Sequence, residues 1–368
     1  MPTAAIEIKE LSRQEIKSAV MDVVKSAAAV NLRYVSDSMP GISRIRSEEG
    51  FVYMQGNRRV KDKATLGRIK KLVIPPAWEQ VWICSEDNGH LQATGMDAKG
   101  RKQYRYHASW SSIRNATKFY RLQEFGKRLP AMRAELQKHL ALPGYPKEKI
   151  LALVVSLLER TNIRIGNGFY EKLYGSFGLT TLKNNHVKVK GSEMIFSFTG
   201  KKGVKHHVSI RSKKLSKIVQ ACKDIPGKDL FEFIDENKEV HRIESGMVNA
   251  YIHSISGSDF SAKDFRTWAG TTQALLALSE VGNFETVTEF REKCVKVFDH
   301  VACSLGNTRS VCRKYYVHPL IIDLYERRQL EPYLQEMKTK SGSELEGLSP
   351  EESILLKILE KYKNWPSV

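Results

Sequence analysis

Four residues in separate segments have side chains that together could transfer a phosphoryl group. Tyr316 carries a phenol, which is a nucleophile and whose phenolate is also a fair leaving group for the reverse step. Arg164 and Arg266 stay protonated and present planar forks that suit the charge on non-bridging phosphate oxygens. Lys201 could serve as a general acid for a departing oxygen. Such a set would support transient cleavage of a phosphodiester bond through a covalent intermediate.

The local setting of each residue is compatible with this role but does not establish it. Arg164 follows an apolar helix, and Lys201 lies in a turn between two predicted strands. Arg266 is expected in the first turn of a helix, where the helix dipole favours phosphate. Taken singly, such an arginine usually forms a surface ion pair, a turn lysine is usually solvated, and a tyrosine usually packs. No single residue therefore identifies a site.

The elements that would carry these residues indicate an α+β protein. Residues 31–107 contain short β-prone runs broken by glycine and proline, which predicts a small β-rich domain. Helical periodicity dominates afterwards, apart from three short runs with a period of two, which predict a compact antiparallel sheet over 186–190, 194–198 and 204–210. We expect a β-rich N-terminal domain over 1–107, a larger, mainly α catalytic domain over 108–336, and a linker with a C-terminal helix over 337–368.

Local signals place the ends of several helices. Apolar residues at helical spacing predict an N-terminal helix over 12–30. Helix starts are indicated by a proline, or by a serine followed three positions later by a carboxylate, at Pro146, at Ser261 with Asp264, and at Ser349 with Glu352. Helix ends are indicated by Gly282 and Gly306.

The charge balance points to a polyanionic partner. Lys and Arg number 59 against 41 for Asp and Glu, which gives a net charge of +18. Cationic contacts to phosphates release condensed counterions, so an excess of this size favours nucleic acid over a generic basic surface or an anionic membrane. The longest mainly apolar run, 150–158, is too short to cross a bilayer. The five cysteines form no C-x2-C or C-x4-C pair, which argues for reduced thiols in a cytosolic protein and against a metal site.

The segment DAKGRKQYRY, residues 97–106, interleaves bases with aromatic residues and is the main candidate for DNA contact. Such a mixture can hold phosphates and read base edges. The alternative is a basic hairpin with structural tyrosines. The candidate DNA-binding residues are Lys99, Arg101, Gln103, Tyr104 and Tyr106, with Lys263 as a further one.

Two adjacent histidines, His206 and His207, follow Lys201. In a strand they would face opposite ways, so they could not both bind one metal ion. We interpret them as structural or close to the phosphate.

Several segments, taken in order, resemble type IB DNA topoisomerases of the compact bacterial and poxviral kind. They are PPAW, GMDAKGRKQYRYH, NIRIGN, GLTTLKNNHVKVKG with FTGKKGVKHH, KDFRTWAGT, and GNTRSVCRKYYVHP. The likeness runs from about residue 30 to about residue 325, and the order and spacing of the segments are far more specific than any one motif. The resemblance implies the catalytic fold shared by type IB topoisomerases and tyrosine recombinases. It also implies a clamp whose two domains cover opposite sides of duplex DNA.

The resemblance also assigns roles to the four residues. Arg164 and Arg266 would hold the scissile phosphate, and Lys201 would protonate the leaving 5′ oxygen. Tyr316, and not Tyr315, would be the nucleophile, since it stands nine residues after position 307 and three before position 319, as in the family pattern.

Asn307 departs from the family pattern, in which histidine is frequent. An asparagine amide can still donate a hydrogen bond to a phosphate oxygen, but it carries no charge and does not titrate. We expect activity to persist, with any change confined to its rate and pH dependence. Asn307 could equally be a helix-end residue beside Gly306, and the two interpretations are compatible.

The expected activity is cleavage and religation of one strand of double-stranded DNA through a 3′-phosphotyrosyl intermediate. No cofactor, metal or nucleotide is expected, and no G-x4-G-K-[ST] loop occurs in the sequence. We expect a monomer in the cytoplasm, associated with the chromosome and not with a membrane. Two alternatives stay open at this point: a tyrosine recombinase with the same chemistry, and a non-catalytic chromosome-binding protein with an inert Tyr316.

Overall fold

The structure is a computed structural model that describes residues 23–48, 50–98, 100, 102–339 and 347–363. The described residues fall into two compact units, one up to Arg121 and the other from Leu122 onward. The division falls within a long helix, Ala108–Leu140, so the chain passes from one unit to the next without a loop. Most of the predicted helix over 12–30 lies outside the described residues, and its end is helical over Val23–Ala28.

The first unit is built on one six-stranded antiparallel sheet with the strand order β3-β2-β1-β4-β5-β6. Its strands are β1 (Ile42–Ser47), β2 (Gly50–Gln55), β3 (Arg58–Arg59), β4 (Glu79–Ile83), β5 (Leu91–Met96) and β6 (Lys102–Tyr106), and its helices are α1 (Val23–Ala28) and α2 (Lys63–Lys71). The core of the sheet is made by Ile42, Ile69, Val81, Ile83 and Ala93, all buried.

The second unit is mainly helical. Its helices are α3 (Ala108–Leu140, shared with the first unit), α4 (Lys147–Thr161), α5 (Gly168–Tyr174), α6 (Lys213–Lys223), α7 (Ser245–Ser256), α8 (Ala262–Val281), α9 (Val287–Leu305), α10 (Arg309–Tyr315), α11 (Pro319–Glu326), α12 (Glu331–Thr339) and α13 (Pro350–Lys361). Helix α4 is the centre of this unit, because nearly all of its residues from Ile150 to Leu158 are fully buried. Burial on every side explains why its sequence is apolar all round instead of on one stripe.

The predicted three-stranded antiparallel sheet is present in the second unit. Its strands are β7 (Val187–Lys190), β8 (Glu193–Thr199) and β9 (Lys205–Arg211), with β8 in the middle. A separate hairpin joins β10 (Glu232–Ile234) and β11 (Val240–Arg242). The α+β fold class expected from the sequence, a β-rich first part and a mainly helical second part with a small sheet, is confirmed.

The C-terminal helix α13 is fixed to the helical core by one carboxylate. Glu352 accepts hydrogen bonds from the Arg133 guanidinium on α3, at 2.8 and 2.9 Å, and from Trp268 Nε1 on α8, at 2.9 Å. Arg133 also pairs with Glu159 on α4. The helix that carries Arg266 is therefore tied to the last described helix.

Across the part of the chain that the structure describes, we find no helix with the length and apolar character needed to span a bilayer.

Candidate active site

The segment that carries Arg164 is held rigidly after the end of α4. Asn162 ends the helix in a left-handed conformation, with φ of 54°. The backbone carbonyls of Arg164 and Ile165 then accept hydrogen bonds from Leu179 N at 2.9 Å and Thr180 N at 2.7 Å. Gly178 is required for this pairing, because a Cβ there would lie 2.5 Å from the Arg164 carbonyl oxygen. The backbone of Arg164 is thus fixed before any substrate is bound.

The Arg164 side chain reaches the C-terminal end of α9, which is distant in sequence. Its Nη2 donates to the carbonyl oxygen of Gly306 at 2.9 Å and to Oδ1 of Asn307. Burial lowers the pKa of the Arg164 guanidinium, the nearby Arg266 lowers it further, and Tyr316 opposes them. Arginine titrates so high that it stays charged at neutral pH all the same. The site therefore holds two positive charges that affect each other, a setting that favours the binding of an anion.

Arg266 is almost completely buried and joins two helix ends. It is 4% exposed, and its guanidinium donates to the carbonyl oxygen of Leu305 at 2.8 Å and to that of Asn162. Both carbonyls lie at helix C-termini, where a cation is favourable. Arg266 is the fifth residue of α8, so the expectation that it lies in the first turn, served by that helix's own dipole, is wrong. Long-range packing, and not its own helix start, determines its setting.

Tyr316 lies against this arginine. The Arg266 guanidinium carbon is 5.3 Å from the centroid of the Tyr316 ring. Burial lowers the pKa of Arg266, and Tyr316 opposes that effect. The Tyr316 backbone is fixed to α8, because its carbonyl accepts from Thr271 Oγ1 at 3.2 Å. Gly270 allows this approach, since a Cβ there would lie 2.7 Å from the Tyr316 carbonyl oxygen. The neighbouring Tyr315 instead has Lys314 over its ring, at 5.3 Å.

Asn307 follows the left-handed Gly306 that ends α9, and its backbone N–H donates to the carbonyl of Ala302 at 3.0 Å. Its Oδ1 accepts from Arg164, which leaves Nδ2 as a donor. This Nδ2 is buried and has no hydrogen-bond partner among the described residues, and the same holds for Nε of Arg266. Buried donors without a partner are costly, so these two donors, one on Asn307 and one on Arg266, would be stabilised by a bound acceptor.

Lys201 lies apart from these contacts. It is exposed, in the turn Lys201–Gly203 between β8 and β9, as predicted. Within the described ranges its side chain forms no hydrogen bond or ion pair. The turn is closed by Gly200 N donating to the Val204 carbonyl at 2.7 Å. The structure therefore brings together four of the five predicted catalytic residues and leaves the lysine on a neighbouring turn.

The sequence left the role of His206 open, and the structure places it between the Lys201 turn and the arginines. A Cβ on Gly306 would lie 2.5 Å from its Cε1, and a Cβ on Gly200 would lie 2.7 Å from its Nε2. Burial lowers the pKa of His206, and Arg164 and Arg266 lower it as well. In the sequence, only Gly200 and Gly306 could have indicated this position, since a glycine often marks a place where another group comes close to the backbone.

Cys312 is fully buried behind the arginines. Burial raises the pKa of its thiol to about 11, against the opposing effect of Arg266 and Arg164. The thiol is thus part of the buried packing of the second unit.

The candidate DNA-binding residues lie on two different elements. On β6, Tyr104 and Tyr106 are about half exposed, with parallel rings whose centroids are 6.0 Å apart. Gln103 Nε2 donates to Asp97 Oδ2 at 3.0 Å. Lys263 is exposed near the start of α8. Two further candidates fall outside the described residues: Lys99 and Arg101.

No group of three metal-ligating side chains lies at this site among the residues that the structure describes. Among the described residues, Asp235, Glu239 and His241 lie close enough together to hold an ion, and they belong to the β10–β11 hairpin. Asp235 there accepts from the backbone N–H groups of Asn237 and Glu239, at 2.9 and 2.8 Å, which explains the cluster as an ordinary turn.

Comparison with known proteins identifies the family. A family model described as "Eukaryotic DNA topoisomerase I, catalytic core" matches residues 107–341, and one described as "Bacterial DNA topoisomerase IB, N-terminal domain" matches residues 50–97. The chain is 31% identical to a DNA topoisomerase 1B of Acanthamoeba polyphaga mimivirus over 297 residues, which cover 78% of this chain and 88% of the viral protein. It is 25% identical to a DNA topoisomerase 1B of Vaccinia virus (strain Copenhagen) over 254 residues, which cover 67% and 76%.

These matches favour the topoisomerase over both alternatives, the tyrosine recombinase and the non-catalytic chromosome-binding protein. The resemblance seen in the sequence segments is confirmed, and so is the expectation of an enzyme. This chain belongs to the type IB DNA topoisomerases and is an isomerase that changes DNA topology.

Proposed function

We propose that this topoisomerase cleaves one strand of duplex DNA with Tyr316 and reseals it without metal or nucleotide. The Tyr316 phenolic oxygen attacks the scissile phosphorus and releases its proton to water, while the 5′ oxygen departs with a proton from Lys201. The product is a 3′-phosphotyrosyl bond and a free 5′ hydroxyl. Religation reverses each step, and bond energy is conserved throughout. Torsional strain in the DNA then drives relaxation.

The observation that carries this proposal is the position of Tyr316 beside Arg266. The guanidinium carbon lies 5.3 Å from the ring centroid, and Arg164 and Asn307 are bonded to each other at the end of α9. A phosphate entering here would meet two guanidinium groups and the unpaired Nδ2 of Asn307. Charge on the transition state would therefore be stabilised by donors that are in place before the substrate binds, and such stabilisation is usually the largest single contribution to catalysis.

The proposed DNA contacts are assigned to basic residues and to exposed aromatic side chains. We assign phosphate and base-edge contacts to the β6 region and to the start of α8, through Lys99, Arg101, Gln103, Tyr104, Tyr106 and Lys263. The net charge of +18 supplies affinity that does not depend on sequence and falls steeply with salt. We further propose a β-rich clamp domain over 1–107 and a catalytic domain over 108–336, acting as a monomer on the chromosome.

Relaxation of supercoiled plasmid tests the proposal. Plasmid with positive or negative supercoils should be relaxed in excess chelator without nucleotide. A denaturing gel should show protein covalently attached to DNA. A requirement for a divalent cation or ATP would overturn the metal-free mechanism. Relaxation without any trapped adduct would overturn the covalent one.

A further inference from the structure

One imidazole ring lies between the two glycines that precede proposed catalytic residues. Cε1 of His206 would lie 2.5 Å from a Cβ on Gly306, and its Cδ2 and Nε2 would both lie 2.7 Å from a Cβ on Gly200. The ring fits because both positions are glycine, whereas any residue with a Cβ at either position would collide with it. His206 therefore packs directly on both backbones, one residue before Asn307 and one residue before Lys201.

The ring is also supported from within its own sheet. His206 pairs with Phe198 across β8 and β9, and the two rings are stacked with centroids 4.9 Å apart and an interplanar angle of 12°. Phe198 is itself buried at 7% exposure. One face of the imidazole therefore stacks on Phe198, and its edges contact the Gly200 turn and the end of α9.

His207, the next residue, provides the contrast. It is exposed, and its Nδ1 shares a hydrogen bond with Ser197 Oγ at 3.0 Å. Successive residues of a strand point to opposite faces, so these adjacent histidines have different surroundings: His206 packs inside the site and His207 faces solvent.

We propose that His206 is a positioning residue that holds the Lys201 turn against the end of α9, so that the lysine reaches the leaving oxygen. This inference rests on the proposed general-acid role of Lys201. The turn has hydrogen bonds within itself, from Gly200 N to Val204 O at 2.7 Å and from Gly203 N to Gly200 O at 3.1 Å. Those bonds fix the shape of the turn but not its position relative to the bound phosphate. The imidazole of His206 sets that position.

The surroundings favour a neutral ring in this role. Burial and the charges of Arg164 and Arg266 all lower the pKa of His206, so the surroundings disfavour its protonated form. A neutral ring adds no repulsion to a site that already holds two guanidinium groups. It works by shape, as a spacer between two backbones that are distant along the chain.

The test compares two DNA substrates in single-turnover cleavage, one with the ordinary bridging 5′ oxygen and one with sulfur in its place. Sulfur departs without protonation, so it removes the need for a general acid. His206→Ala should slow cleavage of the ordinary substrate on the order of 10²-fold, as a misplaced catalytic group does. It should cleave the sulfur substrate at close to the wild-type rate, and Lys201→Ala should show the same pattern.

Three further variants sharpen the result. Gly200→Ala keeps the histidine but places a methyl group 2.7 Å from the ring, so it should reproduce the defect. His207→Ala is the matched control and should cleave both substrates normally. In the double variant of His206 and Lys201, cleavage should be little slower than with Lys201→Ala alone, because the two act through one step. Thermal unfolding checks that each variant is folded.

The outcomes separate this inference from the proposed function. If Lys201→Ala is rescued by sulfur but His206→Ala is equally slow on both substrates, or is not slow at all, the positioning role is wrong. If Lys201→Ala itself is not rescued, the general-acid role is wrong, and the inference falls with it.

Discussion

Replacing Asn307 with aspartate removes one hydrogen-bond donor of the proposed phosphate site and adds a negative charge in its place. The Asn307 Oδ1 accepts from Arg164, and its Nδ2 is buried without a partner in the described part of the chain. Asn307→Asp has nearly the same shape and keeps an acceptor for the arginine. It replaces the unpaired donor with an oxygen, so the fold should be unchanged while the phosphate loses one contact.

The expected loss follows from the number of donors at the site. Removing one preorganised donor to a transition-state oxyanion costs about 10²–10³ in rate, which is roughly 2.7–4 kcal/mol. The new carboxylate also faces the phosphate and partly neutralises Arg164, so the loss should fall at the upper end of that range. DNA binding should change much less, because many other phosphates along the duplex contribute to affinity.

The assay measures single-turnover cleavage and noncovalent DNA affinity separately. Asn307→His, which restores the residue frequent in the family, is the control and should retain cleavage because imidazole can also donate. The reasoning is refuted if Asn307→Asp cleaves within a few-fold of wild type. It is also refuted if the variant loses affinity in proportion to rate, since the donor would then serve binding and not the transition state.

Further variants test the tyrosine, the arginine and the C-terminal helix. Tyr316→Phe should bind DNA and form no covalent adduct on a denaturing gel, whereas Tyr315→Phe should form the adduct; the reverse pattern would move the nucleophile. Arg266→Lys keeps the charge, but a lysine ammonium cannot donate to both helix-end carbonyls and to a phosphate at the same time. It should lower the cleavage rate and also reduce the free energy of unfolding by about 1–3 kcal/mol in denaturant titration. Glu352→Ala should reduce the free energy of unfolding by about 1–3 kcal/mol by leaving its buried donors unpaired. Glu351→Ala on the same helix is the control, and equal effects of the two would contradict this account of the carboxylate.

The helix ends were predictable because their signals are local. Helix α4 starts directly after Pro146, and α9 ends at a left-handed Gly306 with φ of 57°. At the start of α8, Asp264 accepts from both the backbone N–H and the hydroxyl of Ser261, at 2.9 Å each. Helix α13 begins in the same way at Ser349, whose backbone N–H donates to Glu352. Each signal involves residues within a few positions of one another, so the sequence contains all of it.

The interior of the site could not be predicted in the same way. Arg266 is bound by carbonyls that are 104 and 39 positions away along the chain, and no local pattern encodes such partners. The place of His206 depends on two glycines that come close only after folding. Sequence reasoning found the catalytic candidates through the family resemblance, but what holds them in place follows from packing between distant segments.

Peptide mapping of the trapped DNA–protein adduct tests the central claim most directly. After digestion with protease and nuclease, mass spectrometry should find a single nucleotide-bearing peptide, with the phosphate joined to the phenolic oxygen of Tyr316 and to the 3′ end of the cut strand. The other strand end should carry a free 5′ hydroxyl. Attachment at Tyr315 or any other residue, or a phosphate on the 5′ end, would contradict the account.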